Sequence, residues 1–209
     1  MKYRSLGRTG VQVSELCLGC MMFGAGTDES DSLDIIDKAI DEGVNFLDTA
    51  NVYSRGVSEE FVGKALNRNG KRAGLVLATK VHGKMNDDDP NAWGNSRRHI
   101  IEQCDASLKR LQTDYIDLYQ IHAWDPATPV EETMNMLNGF VEAGKVRFVG
   151  VSNFLGWQLE RAAQVCATNG WAPIVSLQPQ YNLLARDIEL ELVPLCIDRG
   201  IGLLPWSPL

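Results

Sequence analysis

Seven short apolar runs alternate with amphipathic stretches along this chain, at a spacing of about 30 residues, the length of one βαβ module. That alternation restricts the fold more than any other feature, because consecutive parallel strands need long crossovers and those crossovers are right-handed. The strand candidates are Glu15 to Met21, Asn45 to Asp48, Leu75 to Lys80, Tyr115 to His122, Phe148 to Asn153, Ile174 to Gln178 and Gly202 to Trp206. Helical periodicity covers Glu29 to Glu42, Ser58 to Asn67, Ser96 to Leu111, Val130 to Ala143, Leu155 to Thr168 and Asp187 to Arg199. Gly43, Gly144 and Gly200 follow three of these stops, where a left-handed residue ends a helix. Ser58 reads as an N-cap, Pro129 as a first-turn residue, and Tyr3 to Val13, with glycines in its turn, as a hairpin.

Two α/β architectures accommodate this order. An open dinucleotide-binding sheet would carry a GxGxxG turn, and Gly19, Gly24 and Gly26 do not form one. A (β/α)8 barrel fits the regular order, but such a barrel typically takes roughly 250 residues. The expectation is therefore a single (β/α) barrel domain over residues 1–209 in which seven of eight strands are present. The C-terminal β/α unit is then missing, as in part of a longer protein, since an unclosed barrel leaves unpaired strand edges.

Composition narrows the partners. With 44% hydrophobic residues the chain supports a sizeable core, and its net charge of −7 gives no overall basic field for nucleic acid or anionic lipid. No segment approaches the ~18 apolar residues of a membrane span, and MKYRSLGRTG lacks the apolar core of a signal peptide, so a cytoplasmic protein is expected. Assembly into a homo-oligomer stays open. Cys17, Cys20, Cys104, Cys166 and Cys196 lie in apolar segments and read as reduced core residues, the Cys17/Cys20 pair included. With His82, His99 and His122 as the only histidines no metal-ligand spacing arises, and Asp87 to Asp89 reads as a solvated loop.

Loops after the strands form the catalytic face of a parallel barrel, so ionisable residues closing apolar runs point to chemistry. Four do so: Asp48, Tyr53, Lys80 and His122. A tyrosine is ordinarily a poor acid at neutral pH, and a neighbouring ammonium favours its phenolate. Lys80 can play that part, Asp48 can keep the buried lysine charged, and His122 can orient a substrate carbonyl toward Tyr53. Taken singly, Asp48 also reads as a turn cap, Lys80 as a solvated strand end, and Tyr53 and His122 as packing residues. Together the four could protonate an alkoxide but supply no electrons, which implies an external hydride donor, commonly a nicotinamide. Lys80 as a Schiff-base nucleophile is an alternative use of the same position. Trp93 and Trp124, with Met22 and Phe23, are placed to wall a pocket for a small carbonyl substrate.

The segments GVNFLDTANVYSRGVSEEFVGKAL, LVLATK, DYIDLYQIH, VRFVGVSN and LQPQYNLL occur in the order in which aldo-keto reductases carry them, and the chain resembles that family throughout. The last two blocks look closest to its bacterial and potassium-channel β-subunit-like branches. The resemblance implies a (β/α)8 barrel whose hairpin covers the bottom, and reduction of aldehydes or ketones with NADPH. It assigns Tyr53 as general acid/base, Lys80 and Asp48 as its tuning pair, and His122 as carbonyl orienter. It further implies that Ser152, Asn153 and Gln178 hold the nicotinamide carboxamide and that Trp206 stacks on the ring. Ser207 and Leu209 align with the start of the pyrophosphate loop. A redox-sensing regulatory subunit with little turnover is the other reading that it allows.

Overall fold

The computed structural model describes residues 1–209, the side chain of Asn69 excepted. An antiparallel hairpin of β1 (Tyr3–Ser5) and β2 (Gln12–Ser14) precedes a parallel sheet of seven strands. These are β3 (Leu18–Gly19), β4 (Phe46–Asp48), β5 (Val76–Val81), β6 (Ile116–Ile121), β7 (Val146–Ser152), β8 (Ile174–Gln178) and β9 (Gly202–Leu203). Each strand pairs with its sequence neighbours, and β3 and β9 are the two edges of a curled sheet, a partial (β/α)8 barrel. Between the strands run α1 (Glu29–Asp41), α2 (Val57–Asn69), α3 (Arg97–Leu111), α4 (Val130–Glu142), α5 (Gly156–Asn169) and α6 (Leu192–Arg199).

Alternation along the strands sorts residues between two cores. Leu47, Leu77, Ile116, Tyr119, Ile121, Val149, Val151 and Leu177 face the helices and pack with Ile36, Val62, Ile100, Met134, Leu137 and Leu159. Phe46, Val76, Ala78, Leu118 and Val175 pack with Leu6 and Val13 of the hairpin, which covers the bottom of the barrel. Gly7, at the hairpin turn, explains how closely this cover seats. Its φ is +55°, and a Cβ there would stand 2.5 Å from the carbonyl oxygen of Val175 and 2.8 Å from that of Gly200.

Local signals account for most helix ends and fail at informative places. Asp28 caps α1 by accepting from the amide of Asp31, and Ser96 caps α3 by accepting from that of His99. Gly43, Gly144 and Gly200 all have positive φ, as their positions after helix stops require. Ser58 is not a cap: α2 begins at Val57, and the Ser58 hydroxyl donates to the Cys20 carbonyl (2.7 Å) and lies 2.8 Å from Thr49 Oγ1. The helix read from Asp187 breaks into a short 3-10 turn at Asp187–Glu189 and α6, which starts at Leu192. Pro194 sets that start, since a residue without an N–H is tolerated in the first turn alone. Strands read as Glu15 to Met21 and Gly202 to Trp206 shrink to two residues each, because an edge strand has a ladder on one side. Cys17, just ahead of β3, is exposed rather than core, whereas the other four cysteines are buried. Among the described residues no helix is long and apolar enough to cross a membrane.

Tyr119 lies fully buried on β6 with its ring edge-on to Phe140, and among the described residues its hydroxyl has no hydrogen-bond partner. Removing an unpartnered buried polar atom relieves a desolvation cost. Tyr119→Phe is therefore expected to raise stability by about 1 kcal/mol in urea unfolding, against the usual loss on altering a core residue.

Candidate active site

β4, β5, β6 and β8 each send a polar side chain into the upper barrel, and these chains gather around one ion pair, Lys80 with Asp48. Lys80, fully buried near the end of β5, donates to Asp48 Oδ2 (2.5 Å), to the carbonyl oxygen of Thr49 (2.8 Å) and to the phenolic oxygen of Tyr53 (3.1 Å). Burial works against its charge, but the carboxylate of Asp48 and the oxygen of Tyr53 outweigh it, and the Lys80 pKa lies above its ordinary value. The other Asp48 oxygen accepts from the amides of Gln120 (3.0 Å) and Gln178 (3.1 Å). A lysine with three acceptors and a raised pKa has no free lone pair, which argues against the Schiff-base use of Lys80.

Tyr53 opens a tight 3-10 turn, Tyr53–Gly56, in which Ser54 and Arg55 both take positive φ. The turn lays the Tyr53 ring under Lys80 Nζ (4.7 Å to the centroid) and edge-on to His122, with centroids 5.7 Å apart. The backbone of His122 is tied to β5 by its amide donating to the Val81 carbonyl (2.9 Å). Burial pushes the His122 imidazole down to about 3, with the Lys80 charge and His82 adding to it, so the ring is neutral at physiological pH.

A second group adjoins these four. Ser152 donates to the Gln178 carbonyl (2.7 Å), and Asn153 Nδ2 donates to the His122 carbonyl and to Ser152 Oγ, both at 3.0 Å. Asn153 Oδ1 accepts from the Trp206 indole (2.9 Å), leaving that ring 37% exposed. Asn153 and Ser207 both have positive φ, and Ser207 and Leu209 lie open to solvent. Of the residues read as pocket walls, Met22 and Trp93 are exposed, and Trp124 packs edge-on against Phe154 and Trp157. Phe23 is buried in the helix-facing core and presents no open wall. Asp87 and Asp89 pair with Arg55 (2.7 Å) and Arg98 (3.2 Å), and among the described residues no acidic, cysteine or histidine cluster is placed to hold a metal ion.

Gln120 and the Thr49 carbonyl complete the centre and are not among the residues singled out in the sequence. Gln120 sits two residues before His122, and the two-residue period of the strand marks it as facing the same interior. A backbone acceptor such as Thr49 leaves no such mark.

Two outcomes test this geometry. Asp48→Asn removes the counter-charge of a buried ammonium and is expected to cost about 3 kcal/mol in chemical unfolding, while Asp48→Asn with Lys80→Met recovers most of the loss. For His122 the folded-state pKa is below its ordinary value of 6.5, so the unfolded chain binds the proton first as pH drops. Its contribution is fully present above pH 6.5 and declines toward pH 3, by up to about 1.4 kcal/mol per pH unit. His122→Gln should flatten that part of a stability profile measured by denaturant melts at successive pH values.

The profile of the Aldo/keto reductase family matches residues 15–209. Versiconal hemiacetal acetate reductase of Aspergillus parasiticus is 42% identical over the whole of this chain and 67% of its own length. The Bacillus subtilis proteins named uncharacterized oxidoreductase YrpG and aldo-keto reductase YhdN are 43% and 41% identical, again over the whole chain, which covers 67% and 62% of them. The chain thus spans about two thirds of the length of these relatives. Seven parallel strands in barrel order and an end-to-end match of this quality establish that the chain belongs to the aldo/keto reductase family.

Proposed function

We propose that this chain carries the proton-transfer centre and the nicotinamide end of a carbonyl-reducing site, with NADPH as hydride donor. Tyr53 is the general acid/base, Lys80 and Asp48 hold it, and His122 orients the substrate. The observation that supports this most directly is the buried Lys80 ammonium donating to the Tyr53 oxygen at 3.1 Å. That hydrogen bond strengthens as negative charge develops on the phenolic oxygen, so it favours the transition state over the ground state.

A reduced nicotinamide, when bound, would supply the hydride for the carbonyl carbon; the remaining tasks fall to side chains of this chain. The neutral His122 imidazole has one N–H to donate to the carbonyl oxygen without setting a second full positive charge beside Lys80. Tyr53 gives its proton to that oxygen as it gains charge, and the phenolate that remains is paired with Lys80. Alcohol oxidation runs through the same groups in reverse.

The residues expected to hold the cofactor divide by what their hydrogen bonds leave free. Gln178 commits its Nε2 to Asp48, and among the described residues its Oε1 has no partner, so it can accept from a carboxamide N–H. Ser152 and Asn153 use their donors within the protein and act by holding Gln178 and Trp206 in place. The half-open Trp206 ring offers a stacking face, and Ser207 and Leu209 lead toward the pyrophosphate. The preference for the 2′-phosphorylated cofactor is carried from the family. Aromatic groups around the mouth suit small aldehydes and ketones with apolar substituents.

Turnover of a panel of aldehydes and ketones, followed by NADPH absorbance with NADH in parallel, tests the reading. Tyr53→Phe should lower kcat by about 100-fold or more while cofactor affinity, read by fluorescence, stays within about threefold. Wild-type-like turnover in that variant would overturn the assignment of the acid.

A further inference from the structure

His82 is the one histidine near the site that the reaction above does not use, and it is held with unusual care. It follows Val81, whose carbonyl accepts the His122 amide, and precedes Gly83, where a Cβ would stand 2.6 Å from the side chain of Val52, the neighbour of Tyr53. It is also two residues beyond Lys80, and continuing the alternation of β5 one residue past its end at Val81 puts it on the same side of the sheet. His82 thus follows the last residue of β5 and stands near enough to His122 for its charge to help lower the His122 pKa, with the exposed Trp93 ring edge-on to it at 5.9 Å between centroids.

Its tautomer can be read from its partners. Asn95 gives its Nδ2 to the Ala123 carbonyl (2.9 Å), which turns Oδ1 toward His82 Nδ1 at 3.0 Å. An amide oxygen only accepts, so Nδ1 carries the hydrogen and Nε2 of the neutral ring is a bare acceptor. Asn95 is itself fixed: its amide donates to Asp125 Oδ2 (2.8 Å), an oxygen that Thr128 also reaches (2.8 Å), and its carbonyl accepts from Thr133 (3.1 Å). Among the described residues Nε2 has no hydrogen-bond partner and is not sealed from solvent.

We propose that His82 is a specificity-determining residue whose Nε2 accepts a hydrogen bond from the substrate, so that the site favours carbonyl compounds bearing a hydroxyl on the aromatic or apolar body beyond the reacting carbon. The inference rests on the carbonyl-reducing function. Discrimination arises because a methyl ether has no hydrogen to give and leaves Nε2 desolvated and unpaired.

The test compares meta- and para-hydroxybenzaldehyde with their methoxy counterparts, by kcat/KM with NADPH and by calorimetric affinity without turnover. The wild type should favour the hydroxyl member of at least one pair by about tenfold, the worth of one hydrogen bond. In His82→Phe, which keeps an aromatic ring beside Trp93, that ratio should collapse toward one, and His82→Gln, which restores an acceptor, should recover part of it. A purely structural role lowers both members together and leaves the ratio intact, which overturns the proposal, as does a wild type without preference. Absence of turnover with every carbonyl overturns the reductase reading instead; the calorimetric ratio then decides the role of His82 alone.

Discussion

A lysine ammonium closed off from water in the middle of a barrel is an expensive thing to build, and the upper half of this structure is organised around meeting that cost. Lys80 has no exposed surface, and its acceptors come from the end of β4, the residue after it and the turn beyond. The carboxylate that compensates it is in turn compensated, since Gln120 from β6 and Gln178 from β8 donate to its second oxygen. Four strands must therefore lie in correct register for one charge to be tolerated. A slip of a single residue would turn Lys80 into the helix-facing core, where it would meet Leu47, Leu77 and Ile121 instead of Asp48. Register, burial and chemistry are here one constraint.

The outer face of β5 is pinned by a similar device. Thr79, next to Lys80 but pointing the other way, donates to Glu59 of α2 (2.5 Å), a fully buried carboxylate. Glu59 accepts from Arg110 of α3 (2.6 Å), whose side chain packs where Gly56 leaves no Cβ in its way. The strand carrying the buried lysine is thus held on both faces by ion pairs. The cost of desolvating the outer pair is offset by its hydrogen bonds, and removing either partner would leave an uncompensated charge. The consequence is positional: Tyr53 and Glu59 belong to one continuous turn and helix, so the geometry that anchors α2 on β5 also sets where the phenol meets the ammonium.

How much of this could be read from the chain depended on the range of the interaction concerned. Periodicity and terminal glycines place five of the six helices to within two residues at each end, because both are local. Asp48, Lys80 and His122 stand out as charged or polar endings to apolar runs. Gln120 does not, because its partner lies 72 positions away and becomes visible only when β4 and β6 are aligned on either side of β5. Gln178 and Asp48 are 130 positions apart. The edge strands are shorter than their apolar runs for a related reason: β3 and β9 are defined by what pairs with them, and apolar residues continue past the point where pairing stops. Pro194, visible in the chain, was outweighed by the apolar periodicity around it, although it determines where α6 starts.

The position of Gln178 links the two halves of the site. Its backbone carbonyl accepts from Ser152, its Nε2 donates to Asp48, and its remaining oxygen is the acceptor proposed for the carboxamide. An amide held at its nitrogen end cannot turn over to offer that nitrogen outward, so the polarity of the outward-facing group is fixed by Asp48. The same carboxylate that keeps Lys80 charged thereby leaves the Gln178 oxygen, not its nitrogen, free for the proposed carboxamide contact. Under the proposed function a change at Asp48 acts on cofactor binding and on proton transfer together, through two hydrogen bonds made to opposite oxygens of one side chain.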